Sequence, residues 1–509
     1  MLGLAALAAG CSGTGRHAAL IRPTDAEAIA TARTGAAASV PTQGDSLPLV
    51  LASHLQPIAS AGDSELTLAG EDPQRFPIDL ANALRLAHAQ STQIQFAQER
   101  IAEAAAQLDQ ARAQLLPSLS AGASYSHHDG RLQDVEGNVI EVSRTAGYAG
   151  LGSGAVAAGP VAVPGMSVRS DLADAVFLPL VARQNSRARE AESRAVQNNV
   201  LLGVTIAYLE LVRAKAELTI AEEAYENASE LARVTDEFAK AGEGLQSDAE
   251  RAAAEQSLRE REVEKAREVL LVRSAQLTEL LRLDPRTELD PIDAATLPLD
   301  VVPVDRPLHE LIGTALASRP ELAQNHALVQ AACERLRQAK YGPLLPSVLL
   351  GFSIGGFGSG TGSTIGSSAD RTDYDAMIFW ELRNLGLSDR ALTDERRSQY
   401  RQAQILEVAM LDRVSSEVSQ AFSQVVSRRK QITITEAAVE RALNSLRLNR
   451  TRIFEKQGLP IEVLQAIQSL AATRREYLGA VIDYNQAQFR LHTAIGQPPS
   501  ATTNHTGTK

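Results

Sequence analysis

From Ile78 to Leu116 the apolar positions recur at three- and four-residue spacing: Leu80, Leu84, Ala87, Ile94, Ala97, Ile101, Ala104, Leu108, Ala111 and Leu115. That period puts them on one stripe of a helix about 58 Å long. Pro117 is expected to stop it, because proline supplies no helix N–H and crowds the preceding turn. The period then changes to two. Leu119, Ala121, Ala123 and Tyr125 alternate with Ser118, Ser120, Gly122, Ser124 and Ser126, a strand with one apolar and one polar face. A glycine-rich polar connection follows, then a second, poorly alternating strand near Val168–Phe177. Helix periodicity resumes from about Gln184 to Leu283, interrupted near Ala241–Ser247, where Gly242 and Gly244 suit the turn between antiparallel helices.

After a Pro/Asp-rich link the programme starts again. Gln110-Ala111-Arg112 and Leu115-Leu116-Pro117-Ser118 are matched by Gln338-Ala339-Lys340 and Leu344-Leu345-Pro346-Ser347. Val348, Leu350, Phe352 and Ile354 mark a third strand, 355–368 a turn, and Tyr374, Ala376, Ile378, Trp380 and Leu382 one face of a fourth. A second helical hairpin runs from about Ser388 to Gly496, with Lys456-Gln457-Gly458 echoing Lys240-Ala241-Gly242. On that alignment the first tip is about four residues longer than the second. The order helix, strand, strand, helical hairpin therefore occurs twice, an internal duplication. The resulting segments are an N-terminal leader over 1–11, an arm or linker over 12–76, a first repeat over 77–285 and an inter-repeat linker over 286–307. A second repeat over 308–497 and a flexible tail over 498–509 complete the chain.

Composition agrees with long helices and adds little chemistry. Only 4% of the 509 residues are aromatic, with one Trp, and Ala, Gln, Arg, Glu and Leu dominate. Eight of the twenty aromatic residues nonetheless lie in or near the strand regions, as β propensity or a membrane-boundary belt would require. The formal charge of -11, with no basic domain, argues against a nucleic-acid partner. No run of about 18 apolar residues is present, so a bilayer crossing would use a closed β-barrel. Cys11 and Cys333 are too few for a disulfide framework or a structural metal site. Leu7-Ala8-Ala9-Gly10-Cys11 reads as a lipoprotein signal ending at a lipidated Cys11. The run is short and lacks a preceding Lys or Arg, so either the true start lies upstream or the beginning is incidentally Ala-rich. Cys333, among Ala331, Ala332 and Leu336, reads as a small buried residue.

Candidate catalytic and cofactor motifs fall away on inspection. The glycine run 355–363 lacks a following Gly-Lys-Ser/Thr and lies between strands, so it is no phosphate loop. His127-His128-Asp129 places adjacent side chains on opposite faces of a strand end, which does not suit one metal. No nucleophile-elbow motif is present. The sequence thus points to no enzyme, no cofactor and no metal.

The duplicated order, the Leu-Leu-Pro-Ser strand starts, the glycines at the hairpin tips and the terminal Leu491-x-x-x-Ile495-Gly496 resemble the TolC-like outer-membrane efflux protein family over about residues 77–497. Phe379-Trp380-Glu381-Leu382-Arg383-Asn384-Leu385-Gly386 is similar to a strand exit of that family. The resemblance implies a mixed α and β fold, mostly long helices, assembled as a homotrimer. Its twelve-stranded outer-membrane β-barrel would be continued by a periplasmic α-helical barrel and embedded in outer-membrane lipids. It also implies a passive conduit fed by a periplasmic adaptor protein and an inner-membrane transporter. Residues at the tips, Gly242, Gly244, Leu245, Gly458, Leu459 and Pro460, would then meet the adaptor. Asp248, Glu462 and Gln465 are the gate candidates; Glu462 matches an acidic constriction residue, while Gln465 replaces the next acidic position. The plainer reading of Glu462 is a solvated carboxylate favoured by a helix N-terminus. The alternative for the chain as a whole is a non-channel structural coiled-coil or adhesion-like envelope protein, which the helical stripes permit; against it stand the duplicated strand pairs, which such a scaffold would not require.

Overall fold

A computed structural model describes residues 75–114, 116, 118–119, 121–152, 166–455 and 457–499. The leader, with Cys11, and nearly all of the expected arm and tail lie outside the described residues.

The described chain runs the same sequence of elements twice, at matched lengths. Helices α1 (Leu80–Gln90) and α2 (Thr92–Ala113) have 11 and 22 residues, and α5 (Leu308–Ser318) and α6 (Pro320–Tyr341) have the same. The long hairpins follow suit: α3 (Leu172–Lys240) and α4 (Gln246–Leu281) have 69 and 36 residues, α7 (Leu387–Phe454) and α8 (Pro460–Ala494) have 68 and 35. At about 1.5 Å per residue, α3 and α7 each extend roughly 100 Å.

The single helix expected over 78–116 is two helices, broken at Ser91 (φ -64°, ψ 122°). The break recurs at Arg319 (φ -68°, ψ 126°). There Pro320 explains it, since a residue before proline is driven out of the α region. Ser91 has no such neighbour. Ala87 and Ile94, both buried, stand seven positions apart, so the apolar stripe passes through the break and conceals it.

α3 starts at Leu172 rather than near Gln184, because Asp171 caps it: the carboxylate accepts from the N–H groups of Ala173 (2.9 Å) and Asp174 (3.4 Å). The strand expected over 168–177 is accordingly only β5 (Met166–Asp171). Pro179 sits inside the helix and masks its start in the sequence. One window of α3 is long and apolar enough to cross a bilayer (mean hydropathy 1.3), and 44% of it is buried inside the protein.

Three apolar clusters hold the helices together, and α8 enters all of them. Phe489 and Ile482 join Tyr208, Leu211, Leu277 and Leu281. Val481 and Leu491 join Leu311, Val414, Val418 and Val425. Nearer the hairpin ends, Val463, Ile467 and Leu470 meet Leu231, Val234, Leu446 and Ile453. Cys333 is buried on α6, as a small residue should be.

The inter-repeat segment is structured. β1 (Arg75–Ile78) pairs in parallel with β6 (Glu288–Pro291), two strands expected as arm and linker. Beyond β6, polar side chains hold the chain in place. Asp293 accepts from the Leu80 N–H (3.1 Å) and the Tyr208 hydroxyl (2.7 Å). Burial, then the Asp293 carboxylate, pushes the Tyr208 phenol far above its ordinary value. Asn485 brackets Leu299 N–H (2.8 Å) and Leu297 C=O (3.0 Å), and Gln488 accepts from Val302 N–H (2.8 Å).

The larger, six-stranded sheet is antiparallel and forms four lines. β2 (Ser118–Leu119) and β3 (Ala121–Gln133) make the first, β4 (Val139–Gly152) and β5 the second, β7 (Ser347–Thr361) the third and β8 (Ser367–Phe379) the fourth. β4 and β5 lie along one edge of β7, with Gly152 opposite Ser353 and Met166 opposite Phe352. β4 fills what the sequence presents as a polar connection. Its Gly, Ala, Ser and Thr give little hydrophobic contrast, and pairing on both sides forms the strand. Likewise the turn expected over 355–368 shrinks to 362–366, because β7 and β8 extend into it.

Candidate functional site

Two parts of the fold hold the candidate residues: the two faces of the sheet, and the ends of the helical hairpins.

Opposed residues of an antiparallel pair point to the same side, so the register sorts the side chains. On one face stand Val348, Leu350, Phe352 and Ile354 of β7, opposite Ile378, Ala376, Tyr374 and Thr372 of β8. Ala123, Tyr125 and Ala149 continue it on the other lines. On the second face stand Ser347, Leu349, Gly351, Ser353 and Gly355, opposite Phe379, Met377, Asp375, Asp373 and Arg371. Ser124, Ser126 and His128 extend this face. Its charges are knitted together: Arg371 meets Asp373 at 2.8 Å and lies 5.2 Å from the Phe357 ring, and Ser353 donates to Asp373 at 3.1 Å.

Exposure runs opposite to that of a water-soluble sheet. The apolar face is open: Tyr374 is 79%, Ile378 60% and Ile354 49% exposed. Along β8, residues 371, 373 and 375 are partly covered while 372, 374, 376 and 378 are exposed. Such a difference in cover is that of a curled sheet, with the covered polar face on its concave side and the open apolar face on its convex side. At the lower end Trp380 is exposed on the apolar side and donates from Nε1 to Leu344 C=O (3.4 Å). An amphipathic ring at the rim of an apolar band suits a membrane boundary.

The hairpin tips are equivalent turns. After α3 the Phe238 carbonyl accepts from the N–H groups of Glu243 (2.9 Å) and Gly244 (3.0 Å). After α7 the Arg452 carbonyl accepts from Gln457 (2.8 Å) and Gly458 (3.0 Å). Each turn occupies five residues, 241–245 and 455–459, so the first tip is not longer than the second. Gly458 corresponds to Gly244, not to Gly242, and across the tips the offset between the hairpins is 214. Both glycines press on the preceding helix: a Cβ would lie 3.2 Å from Phe238 at the first and 3.1 Å from Arg452 at the second. Gly242 has a different task, a left-handed φ of 72°.

That register aligns the remaining candidates without a gap. Leu245 and Leu459 precede the helices and are 67% and 61% exposed. Pro460 takes the first helical position, where its missing N–H costs nothing. Asp248 and Glu462 are counterparts in the first turns of α4 and α8, their N–H groups bonded to the Leu245 and Leu459 carbonyls (3.1 and 3.0 Å). Glu462 pairs with Arg452 at 3.1 Å, and Asp248 approaches Arg251 at 3.8 Å. Gln465 is exposed one turn on. Sequence echo missed the Asp248–Glu462 equivalence because Lys-x-Gly occurs at different offsets in the two turns. Among the described residues no three His, Cys, Asp or Glu side chains converge as a metal site.

Ion pairs tie the hairpins together above the tips. Arg259 of α4 sits between Glu255 and Glu262, which also receive Gln468 (2.9 Å) and Arg475 (3.1 Å) of α8. Burial raises the Glu255 carboxyl, but hydrogen bonds from Gln468 and Arg259 outweigh it and hold it below its ordinary value. Glu417, gripped by Arg319 and Arg413, is likewise lowered against the opposing effect of burial.

Comparison with known proteins bears on the whole arrangement. Residues 311–497 match the family model for outer membrane efflux proteins. No curated protein sequence matches the chain. Among solved structures, the outer-membrane channel OprN superposes with a TM-score of 0.68 at 20% identity, covering 82% of this chain and 89% of OprN. VceC from Vibrio cholerae gives 0.66 at 19% identity, covering 82% and 96%. The CmeC outer membrane channel of Campylobacter jejuni gives 0.69 at 16% identity, covering 83% and 86%. The fold is therefore that of the TolC-like outer-membrane efflux channels, and residues 311–497 carry the efflux-protein sequence pattern.

Proposed function

We propose that the chain is one subunit of an outer-membrane channel in an efflux or secretion system. It conducts substrates passively from a periplasmic adaptor and an inner-membrane transporter to the exterior, without catalysis. The observation that carries this reading is the inverted sheet, apolar and exposed on its convex side, charged and covered on its concave side. In water that arrangement is unfavourable; as a segment of a barrel wall it puts the apolar face in lipid and the charges in an aqueous lumen.

Within this reading the active form is a homotrimer. Four lines of strand leave open edges at β3 and β8, and three copies close a twelve-stranded barrel, with the hairpins forming an α-helical barrel in the periplasm. Matched element lengths support an internal duplication as the origin of the two halves. The tips, at Gly244–Leu245 and Gly458–Pro460, are the adaptor-contact regions, with Asp248 and Glu462 as paired gate candidates and Gln465 beside them. Cys11 is the proposed lipid anchor; acylation there would fix the chain to the outer membrane without a spanning helix.

Purification from outer membranes followed by planar-bilayer recording tests the reading. Ion-conducting trimers rich in β-structure are expected. A soluble monomer that never conducts would overturn it.

A further inference from the structure

The glycine-rich end of β7 builds a latch. The turn 362–366 folds back over the convex, apolar face of the sheet and crosses β4 to reach β3. Gly362 N–H donates to Ser143 C=O (3.1 Å), the Thr145 hydroxyl donates to Gly362 C=O, and the Tyr125 hydroxyl donates to Ser363 C=O (3.0 Å). Ile365 fills a hollow over Gly147 and Gly358, neighbours in the register of β4 and β7. A Cβ at Gly147 would lie 2.8 Å from the Ile365 side chain, and one at Gly358 would strike it. At Gly360 a Cβ would collide with the backbone of Thr364, and Gly362 has φ 71°. Four glycines thus do separate jobs: two open the hollow and two permit the fold-back.

We infer that this latch holds the β7–β8 turn against the outer wall of the barrel and so keeps it out of the pore mouth. The inference rests on the channel reading, because only a barrel gives the convex face an outside. The physical basis is direct. The turn lies at the end of the sheet remote from the helices; the Gly362 N–H continues the β4–β7 ladder, while the Thr145 and Tyr125 hydroxyls and the apolar plug engage the side opposite the charged face. Released, a turn of this length hangs over the lumen edge and obstructs it intermittently.

Single-channel recording separates the two ideas. If wild-type protein does not conduct, the channel reading fails. If it conducts, Gly360→Ala, which forbids the fold-back, and Ile365→Asp, which expels the plug while leaving the barrel wall unaltered, test the latch. Both are expected to add brief partial closures and at least a twofold rise in open-channel noise. Deleting 363–365 in either background should restore a quiet current. Should Gly360→Ala fail to assemble, Ile365→Asp alone decides the matter. Conducting channels of Ile365→Asp with wild-type conductance and noise would overturn the inference.

Discussion

Leu349 and Leu350 are adjacent leucines on the central strand β7, and the structure predicts opposite fates for them when replaced by arginine. Leu350 lies on the convex face, 46% exposed, opposite Ala376. Leu349 lies on the concave face, opposite Met377 and two residues from Gly351, which pairs with Asp375. From Val348 to Ile354 the convex face of β7 spans about 20 Å along the strand at roughly 3.3 Å per residue. Tilted as barrel strands are, that covers some 15 Å of an apolar band about 25 Å tall, with Trp380 at its lower border. On the proposed barrel reading, Leu350→Arg puts a cation in hydrocarbon at about 2–4 kcal/mol per subunit, a roughly 30- to 700-fold loss in the insertion equilibrium. Three copies bring this to about 6–12 kcal/mol. If the same face met water, a change at so exposed a site would stay within about 0.5 kcal/mol. Leu349→Arg enters an aqueous, acidic lining and should cost under about 1 kcal/mol. Refolding into phospholipid vesicles, scored as SDS-resistant trimer on unheated gels, reads both. Equal yields for Leu350→Arg and wild type would refute the assignment of the faces.

Three further outcomes are expected. Gln488→Leu leaves the buried Val302 N–H without its acceptor and should lower stability by about 1–3 kcal/mol, seen as a drop in the urea midpoint of the helical circular-dichroism signal; an unchanged midpoint would mean the linker is held elsewhere. Glu462→Gln should reduce cation preference while changing stability by less than about 1 kcal/mol, since its Arg452 pair is partly exposed to water; identical conductance and selectivity would reject a pore-lining role. Acid should act in two stages. Burial pushes the His492 imidazole below 6.5, so the neutral form is favoured in the folded chain and stability declines as pH falls through 6.5. Glu255 and Glu417 are held below 4.5, so their contribution is complete above 4.5 and is lost as pH falls through their lowered folded values. Thermal melts from pH 8 to 3 should show both stages, and His492→Asn should remove only the upper one.

Much of this architecture is legible in the sequence, for identifiable reasons. Long helices announce themselves because dozens of positions repeat one period, and β7 because Val348, Leu350, Phe352 and Ile354 contrast sharply with their neighbours. β4 is invisible because small residues carry no contrast; its partners on either side create it. The break at Ser91 is hidden by an unbroken stripe, whereas Pro320 marks its twin. Short echoes misled at the tips: Lys-x-Gly set the hairpins out of register, while the paired carbonyl acceptors of Phe238 and Arg452 restore it. The Asn485 and Gln488 amides stand out in the sequence near the end of α8, but that they grip the segment 297–302 depends on long-range packing.

The two open edges of the sheet bear on how such a protein reaches its membrane. β3 and β8 each have one side without a partner strand among the described residues. In hydrocarbon every such N–H and C=O would go unsatisfied at several kcal/mol apiece, so an inserted single chain is not a populated species. On the proposed trimeric-channel reading, insertion and ring closure are then one event in time. Its rate should rise steeply with subunit concentration, and a chain truncated in either edge strand should poison the assembly of intact ones rather than merely fail alone.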